Sequence, residues 1–168
     1  MLDHEQRLAW VESLMAHRGE KGARRNAAVV TTGWTDTGAE ILMGISFDQV
    51  VEVMGGSAVQ PIALLPQTFC GVIARGSDLY PVLDLGGDLS QPELVLLVRD
   101  RGCRYGLLFR GAPLVMDADA APREPDAADR GAPATPAWPL VAGAHVSGPQ
   151  GPVVLLDVPA TTDALLRG

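Results

Sequence analysis

Cysteine and aromatic residues are scarce in this chain of 168 residues, which has two cysteines and only 5% Phe, Trp and Tyr. Cys70 and Cys103 both lie inside apolar runs. That placement predicts two small buried thiols with a structural role, rather than a disulfide framework or a metal site.

Long apolar runs are missing as well. The longest uninterrupted ones, such as residues 94–98, fall far short of the roughly 20 residues that a membrane-spanning helix needs. The opening residues, Met1-Leu-Asp-His-Glu-Gln-Arg, lack the basic and apolar regions of a signal peptide. We therefore expect a cytoplasmic protein with no direct membrane insertion.

Positive charge is in deficit, because 13 Lys and Arg residues stand against 20 Asp and Glu residues and give a net charge of -7. Such a charge repels the phosphates of nucleic acids and anionic lipids. Nucleic acid is therefore not an expected partner.

Motifs for metal or nucleotide chemistry are also missing from the sequence. The 3 histidines are scattered, and no cysteine or carboxylate cluster near them has the spacing of metal ligands. No G-x-G-x-x-G, Walker lysine or G-x-S-x-G motif occurs. We expect no metal, no cofactor and no enzymatic activity.

One short string is similar to a catalytic motif. Asp36-Thr37-Gly38-Ala39 resembles the active site of retroviral-type aspartic proteases, in which two such aspartates from a dimer share a proton. That family has two apolar residues before the Asp, whereas Trp34 and Thr35 precede it here. A polar hairpin turn explains Asp-Thr-Gly equally well. The protease stays as an alternative from a different functional class.

The sequence is rich in short apolar runs separated by turn residues. It is 47% apolar, with 19 Gly and 13 Pro, which disfavours a helical bundle. About nine short strands with close turns favour barrels or a sandwich over a parallel sheet with crossover helices. We predict these strands near residues 27–34, 40–45, 50–54, 69–74, 79–85, 94–99, 104–109, 140–146 and 153–157.

Three other segments differ from the strand pattern. Residues 3–17 have helical apolar spacing, which predicts an amphipathic helix that either docks on the domain or binds a partner. With its connector this helix fills residues 1–22, and 23–168 form the main domain. Residues 117–138, rich in Ala, Pro, Asp and Arg, predict a long solvent loop inserted within one fold. Residues 161–167 predict a short helix whose docking face is Leu165 and Leu166.

Four fragments between residues 44 and 85 carry a family resemblance by their order and spacing. They are Gly44-Ile-Ser-Phe-Asp-Gln-Val-Val-Glu-Val, Leu65-Pro66, Gly71-Val-Ile and Pro81-Val-Leu-Asp-Leu. Together they resemble the CheW-like domain of bacterial chemotaxis, whose pattern includes Val-x-Glu-Val, Gly-Val-Ile-Asn-Leu-Arg-Gly and Pro-Val-x-Asp-Leu. Apolar fragments between residues 94 and 158 look like the second half of that family, so the resemblance covers residues 27–166.

The resemblance implies a mainly β fold of two intertwined five-stranded SH3-like barrels on a shared apolar core. The barrels would exchange strands so that neither is a contiguous segment, and this chain would add an N-terminal helix and a short C-terminal helix. The implied role is an adaptor without an active site. It would link a chemoreceptor's cytoplasmic tip to the histidine kinase CheA, through that kinase's own CheW-like domain, in membrane-associated receptor arrays. An alternative is a CheW-like interaction module recruited to another scaffold.

The resemblance also implies three partner-binding residues, Val50, Glu52 and Arg75. Val50 falls where the family uses an apolar residue for the receptor helix. In the family an arginine pairs with the Glu of Val-x-Glu, here Glu52, but an ungapped alignment places that arginine on Gly76. Arg75 is one position early, and one position turns a strand side chain to the other face. Either a bulge lets Arg75 reach Glu52 or the pair is lost.

Overall fold

The computed structural model describes residues 27–35, 37–63, 65–117 and 136–167, which form ten strands and one α-helix. Nine of the strands overlap the predicted ones. The sequence does not predict β8, because four residues are too few to show a periodicity. The elements are β1 (Ala27–Trp34), β2 (Glu40–Ser46), β3 (Val50–Gly55), β4 (Phe69–Arg75), β5 (Asp78–Asp84), β6 (Glu93–Asp100), β7 (Cys103–Arg110), β8 (Leu114–Asp117), β9 (Ala142–Gly148), β10 (Gly151–Leu156) and α1 (Val158–Arg167).

The strands build two five-stranded sheets, as predicted. The first sheet has the order β8-β1-β2-β10-β9 and the second has the order β3-β6-β7-β5-β4. Each contains one parallel pair, β2 with β10 and β5 with β7, and the other neighbours are antiparallel. The expectation that neither barrel is contiguous is wrong for the second sheet, whose strands follow one another from β3 to β7. Only the first sheet is split, by this insertion.

The apolar core has three parts. One cluster lies inside each sheet, and the largest lies between the two sheets. Strand β6 contributes side chains to two clusters. Val95 and Leu97 pack inside the second sheet, while Leu96 and Val98 pack in the cluster between the sheets, which we call the shared core. All four side chains are fully buried. Burial on both faces explains why this strand reads as an uninterrupted apolar run rather than an alternating one.

Helix α1 closes the shared core at the C-terminal end of the chain. Asp157 caps it, since its carboxylate accepts a hydrogen bond from the Ala160 N–H at 2.9 Å. Val158 and Leu165 pack against the shared core. Leu166 is 71% exposed, so its predicted docking role is wrong. The helix begins earlier than predicted, and no helix among the described ranges is long and apolar enough to cross a membrane.

The two ends of the predicted loop 117–138 pair with β1 in the structure, Asp117 as the last residue of β8 and Pro136 through a bridge. The centre of the loop, 118–135, lies outside the described residues, as does the predicted N-terminal helix. Pro136 forms a bridge with Thr35, and the Ala137 N–H donates to the Trp34 carbonyl at 2.8 Å. Pro136 and Ala137 therefore extend the pairing of β1, while Trp138 is exposed.

The prediction of two buried thiols is wrong. Cys103 is half-buried and Cys70 is exposed, and both are free. Cys70 lies where the register of β4 against β5 shifts between Phe69 and Gly71. A bulge of this kind breaks the alternation of side chains. The apolar run around Cys70 therefore does not place its thiol in the core.

Candidate partner-binding site

Glu52 and Arg75 meet although they lie on opposite edges of the second sheet. Glu52 is on β3 and Arg75 is the last residue of β4. The Arg75 Nε donates to Glu52 Oε2 at 2.7 Å, and its Nη2 donates to Glu52 Oε1 at 3.0 Å. This two-point contact fixes the orientation of both side chains. The sequence left open whether Arg75 reaches Glu52 or the pair is lost, and in the structure the pair forms.

The curvature of the second sheet brings the pair together. Side chains two positions apart in a strand share a face. Glu52 therefore shares a face with Met54, and Arg75 shares one with Ile73. Ile73 belongs to the cluster inside this sheet, and Met54 packs against that cluster. The ion pair thus spans the mouth of the curled sheet, above its apolar interior.

A bulge makes this geometry possible, and it lies in β3 rather than in the turn after Arg75. The register of β3 against β6 shifts between Val50 and Glu52, so the residue between them, Val51, is displaced outward. Val51 is 44% exposed. Without the extra residue Glu52 would face the other side of the sheet.

Val50 is placed differently from the two charged residues. It pairs with Val98 and packs against the shared core, half-buried. Core packing therefore accounts for much of its apolar character. Val51 is the exposed apolar neighbour of the ion pair, and sequence reasoning missed it because one sequence gives no signal for a bulge at this position.

A backbone bridge closes the same sheet beside the ion pair. Gln60 and Val72 exchange two hydrogen bonds of 2.8 and 2.9 Å, which join the chain after β3 to the free edge of β4. Gly71 allows this approach. A Cβ at position 71 would lie 2.6 Å from the Gln60 carbonyl oxygen. The glycine that begins the Gly-Val-Ile fragment is therefore required by a close backbone contact.

A second ionic cluster, which the sequence did not indicate, surrounds Arg110. Its guanidinium contacts Asp84 at 2.7 and 3.1 Å, Glu93 at 2.8 Å and the Gly86 carbonyl at 2.9 Å. The Arg110 side chain is only 7% exposed. Burial alone would raise the pKa of the Asp84 carboxyl, but hydrogen bonds from Arg110 and the Gly86 N–H hold that pKa below its ordinary value.

The aspartic protease string lies at the hairpin between β1 and β2. Asp36 itself is outside the described residues. Around it, the Gly38 N–H donates to the Thr35 carbonyl at 2.9 Å, and Gly38 has a φ of 80°. These contacts confirm the predicted hairpin turn for the flanking residues. Within the part of the chain that the structure describes, no group of three or more His, Cys, Asp or Glu residues could hold a metal ion.

Comparison with known proteins finds similarity in structure but not in sequence. Neither a protein-family model nor a curated protein matches this sequence. The chain is similar in structure to the scaffolding protein TtCheW from Thermoanaerobacter tengcongensis, with a TM-score of 0.55 and 16% identity over 80% of this chain and 85% of that chain. At this identity the likeness shows the fold alone, and the predicted CheW-like fold is confirmed.

Proposed function

We propose that this chain is a non-catalytic coupling protein that links chemoreceptor signalling tips to the histidine kinase CheA. It would act in the cytoplasm, recruited to membrane-associated receptor arrays. The observation that carries the proposal is the Glu52–Arg75 ion pair, because it sets the two partner-binding charges implied by the family resemblance on one exposed surface. The fold similarity to a scaffolding protein supports the same role.

The ion pair is suited to recognition rather than to stability. The Arg75 side chain is 57% exposed and the Glu52 side chain 35% exposed. Exposed pairs stabilise a fold by only about 0–1 kcal/mol. Charges on a binding surface instead select partners and speed association. Val51 directly precedes Glu52 in the chain and is also exposed. We name these three residues the β3 surface (Val51, Glu52 and Arg75).

Binding of the two partners tests the proposal. The full chain is immobilised and presented separately with the CheW-like regulatory domain of CheA and with a receptor signalling-tip fragment. We expect both to be retained. Val51→Asp should weaken retention of at least one partner, because it places a charge on the apolar part of the β3 surface. Leu89→Asp is the matched control, since Leu89 is 83% exposed and lies outside that surface.

Retention of neither partner would refute the coupling role and leave the fold unaffected. That outcome would favour the alternative, a CheW-like module recruited to another scaffold. The one-position displacement of Arg75 from the family pattern is the observation that favours this alternative.

A further inference from the structure

A cleft of about 250 Å³ opens where the two sheets meet, at the end of β1 and the end of β5. Trp34 and Leu85 line one part of it and Trp138 and Pro139 another, while Gln67 and Thr68 add polar groups. The cleft is distinct from the β3 surface, since none of the three residues of that surface lines it.

The indole of Trp34 gives the cleft a specific chemical feature. Its Nε1 is buried and has no hydrogen-bond acceptor among the described residues. Gly86 lies against the same ring, and a Cβ there would be 2.7 Å from Trp34 Cδ1. The glycine backbone, with a φ of 80°, thus lets the chain hold the indole in place. Buried donors without an acceptor are rare in folded proteins, and this indole N–H, in a residue that lines the cleft, is therefore a candidate donor to a bound ligand.

Trp138 and Pro139 add an aromatic and apolar part to the lining of the cleft. The Trp138 side chain is 58% exposed, which is unusual for so large an apolar ring, and Pro139 follows it. Proteins bind proline-rich segments in grooves lined by aromatic side chains, and Trp34 and Trp138 both line this cleft. In the polyproline II conformation the prolines pack on aromatic rings, and the backbone carbonyls have no internal partner. One such carbonyl can accept the Trp34 N–H.

Two other peptide-binding modes fit the cleft less well. A β-strand cannot be added at the end of β1, because the Ala137 N–H already occupies the Trp34 carbonyl at 2.8 Å. An amphipathic helix needs a long groove, whereas this cleft, at about 250 Å³, falls below the roughly 300–1,000 Å³ of a typical ligand pocket. A narrow extended segment is the occupant that matches its size.

Charge complementarity defines the partner further. Asp84 lines the cleft and belongs with Glu93 and Arg110 to a cluster of two carboxylates and one guanidinium, which leaves one net negative charge. We propose that this cleft binds a proline-rich segment of a partner protein, with a basic residue beside the prolines. This site goes beyond the coupling role and does not depend on it.

Nuclear magnetic resonance of the full ¹⁵N-labelled chain tests the site. The probe is a blocked oligoproline of about ten residues, roughly three turns of polyproline II, that ends in arginine. The control peptide has glycine at every second proline. We expect a saturable downfield shift of the Trp34 indole N–H with the first peptide and a much weaker response to the second. The Trp34→Phe variant assigns that resonance by removing it.

Two variants separate binding from folding. Trp138→Ala changes an exposed ring and should weaken the peptide at least about ten-fold, as expected for an aromatic anchor. Trp34→Phe keeps a ring but removes the donor, and should weaken it about five-fold. Leu166→Ala, which alters an exposed leucine far from the cleft, should change nothing. Absence of any Trp34 shift at millimolar peptide, or equal binding by Trp138→Ala or by the glycine peptide, would overturn the proposal.

Discussion

Arg75 and Glu52 form a two-point ion pair at the surface of the second sheet. The pair crosses the mouth of the second sheet, and both side chains remain substantially solvated. Solvent therefore screens their attraction, and we expect the pair to contribute at most about 1 kcal/mol to stability. The two hydrogen bonds fix the position of the Arg75 guanidinium relative to the Glu52 carboxylate.

Charge reversal at this pair should change binding more than stability. Glu52→Lys should weaken partner binding, because the new charge repels Arg75 and removes its two-point contact. The double variant Glu52→Arg with Arg75→Glu should recover part of the loss, and isothermal titration with the retained partner measures this coupling. The free energy of unfolding should change by less than about 0.5 kcal/mol in Glu52→Ala.

Glu40→Lys is the matched control, because Glu40 is an exposed carboxylate on β2, a strand of the other sheet. It carries the same charge change away from the β3 surface. If Glu52→Lys and Arg75→Glu each bound like the unmodified chain, the β3 surface would not be the interface.

The Arg110 cluster should make stability depend on pH. Because the pKa of Asp84 is lowered in the folded protein, its contribution is present above the unfolded pKa of about 3.9 and is lost as the pH falls through the folded value. Asp84→Asn should lower the free energy of unfolding near pH 7 by about 1–3 kcal/mol, since the buried Arg110 loses a charged partner.

Urea unfolding over a range of pH measures this difference. The curves of the unmodified chain and Asp84→Asn should converge as the pH falls below the pKa of the Asp84 carboxyl. Asp48→Asn is the control, because Asp48 is an exposed carboxylate that accepts a hydrogen bond from the Ser46 hydroxyl at 2.6 Å rather than from a buried guanidinium. A constant gap between the curves at every pH would show that the Asp84 charge does not stabilise the fold.

At the scale of the elements, closure of the second sheet rests on Gly71. Gly71→Ala should destabilise the protein by about 1–3 kcal/mol, because the new methyl would contact the Gln60 carbonyl at 2.6 Å and force the bridge apart. Gly55→Ala is the matched control, since its Cβ would meet only the Ser57 hydroxyl at 3.7 Å. Hydrogen exchange of the Gln60 and Val72 amides measures directly whether the bridge is formed. Equal thermal midpoints for Gly71→Ala and Gly55→Ala would contradict the role of Gly71 in closing the sheet.

The predicted N-terminal helix gives a second test at this scale. If Leu8, Val11 and Met15 dock on the domain, deletion of residues 1–22 should cost several kcal/mol, at about 1.5–3 kcal/mol for each large apolar side chain that is buried. We expect this outcome, measured as a lower urea midpoint. An unchanged midpoint with weaker partner binding would instead identify the helix as a binding arm.

Strands were predictable from this sequence, while their irregularities were not. Periodic apolar runs locate nine strands, because burial of one or both faces leaves a pattern along the chain. The bulges at Val51 and Cys70 leave no such pattern, so the exposure of both residues went unpredicted. The same holds for Arg110, whose burial depends on Asp84 and Glu93 from other strands. Contacts between distant strands arise from topology, which a single sequence does not display.

For the molecule as a whole, the topology links the two sheets into one unit. The second sheet is inserted between β2 and β8 of the first, so the chain passes twice between the sheets. The largest apolar cluster lies between them and draws on both. The β3 surface belongs to the inserted sheet, while the cleft at Trp34 lies at the junction. The two proposed binding sites therefore consist of different residues.

The coupling role predicts a bridge, and co-sedimentation tests it most directly. Receptor-bearing vesicles are mixed with CheA, with and without the full chain, and the kinase in the pellet is measured. The kinase should sediment in proportion to added chain, less so with Glu52→Lys and unchanged with Glu40→Lys. Kinase sedimentation that is independent of the chain, with the chain itself left in the supernatant, would contradict the proposal that this protein couples receptors to the kinase.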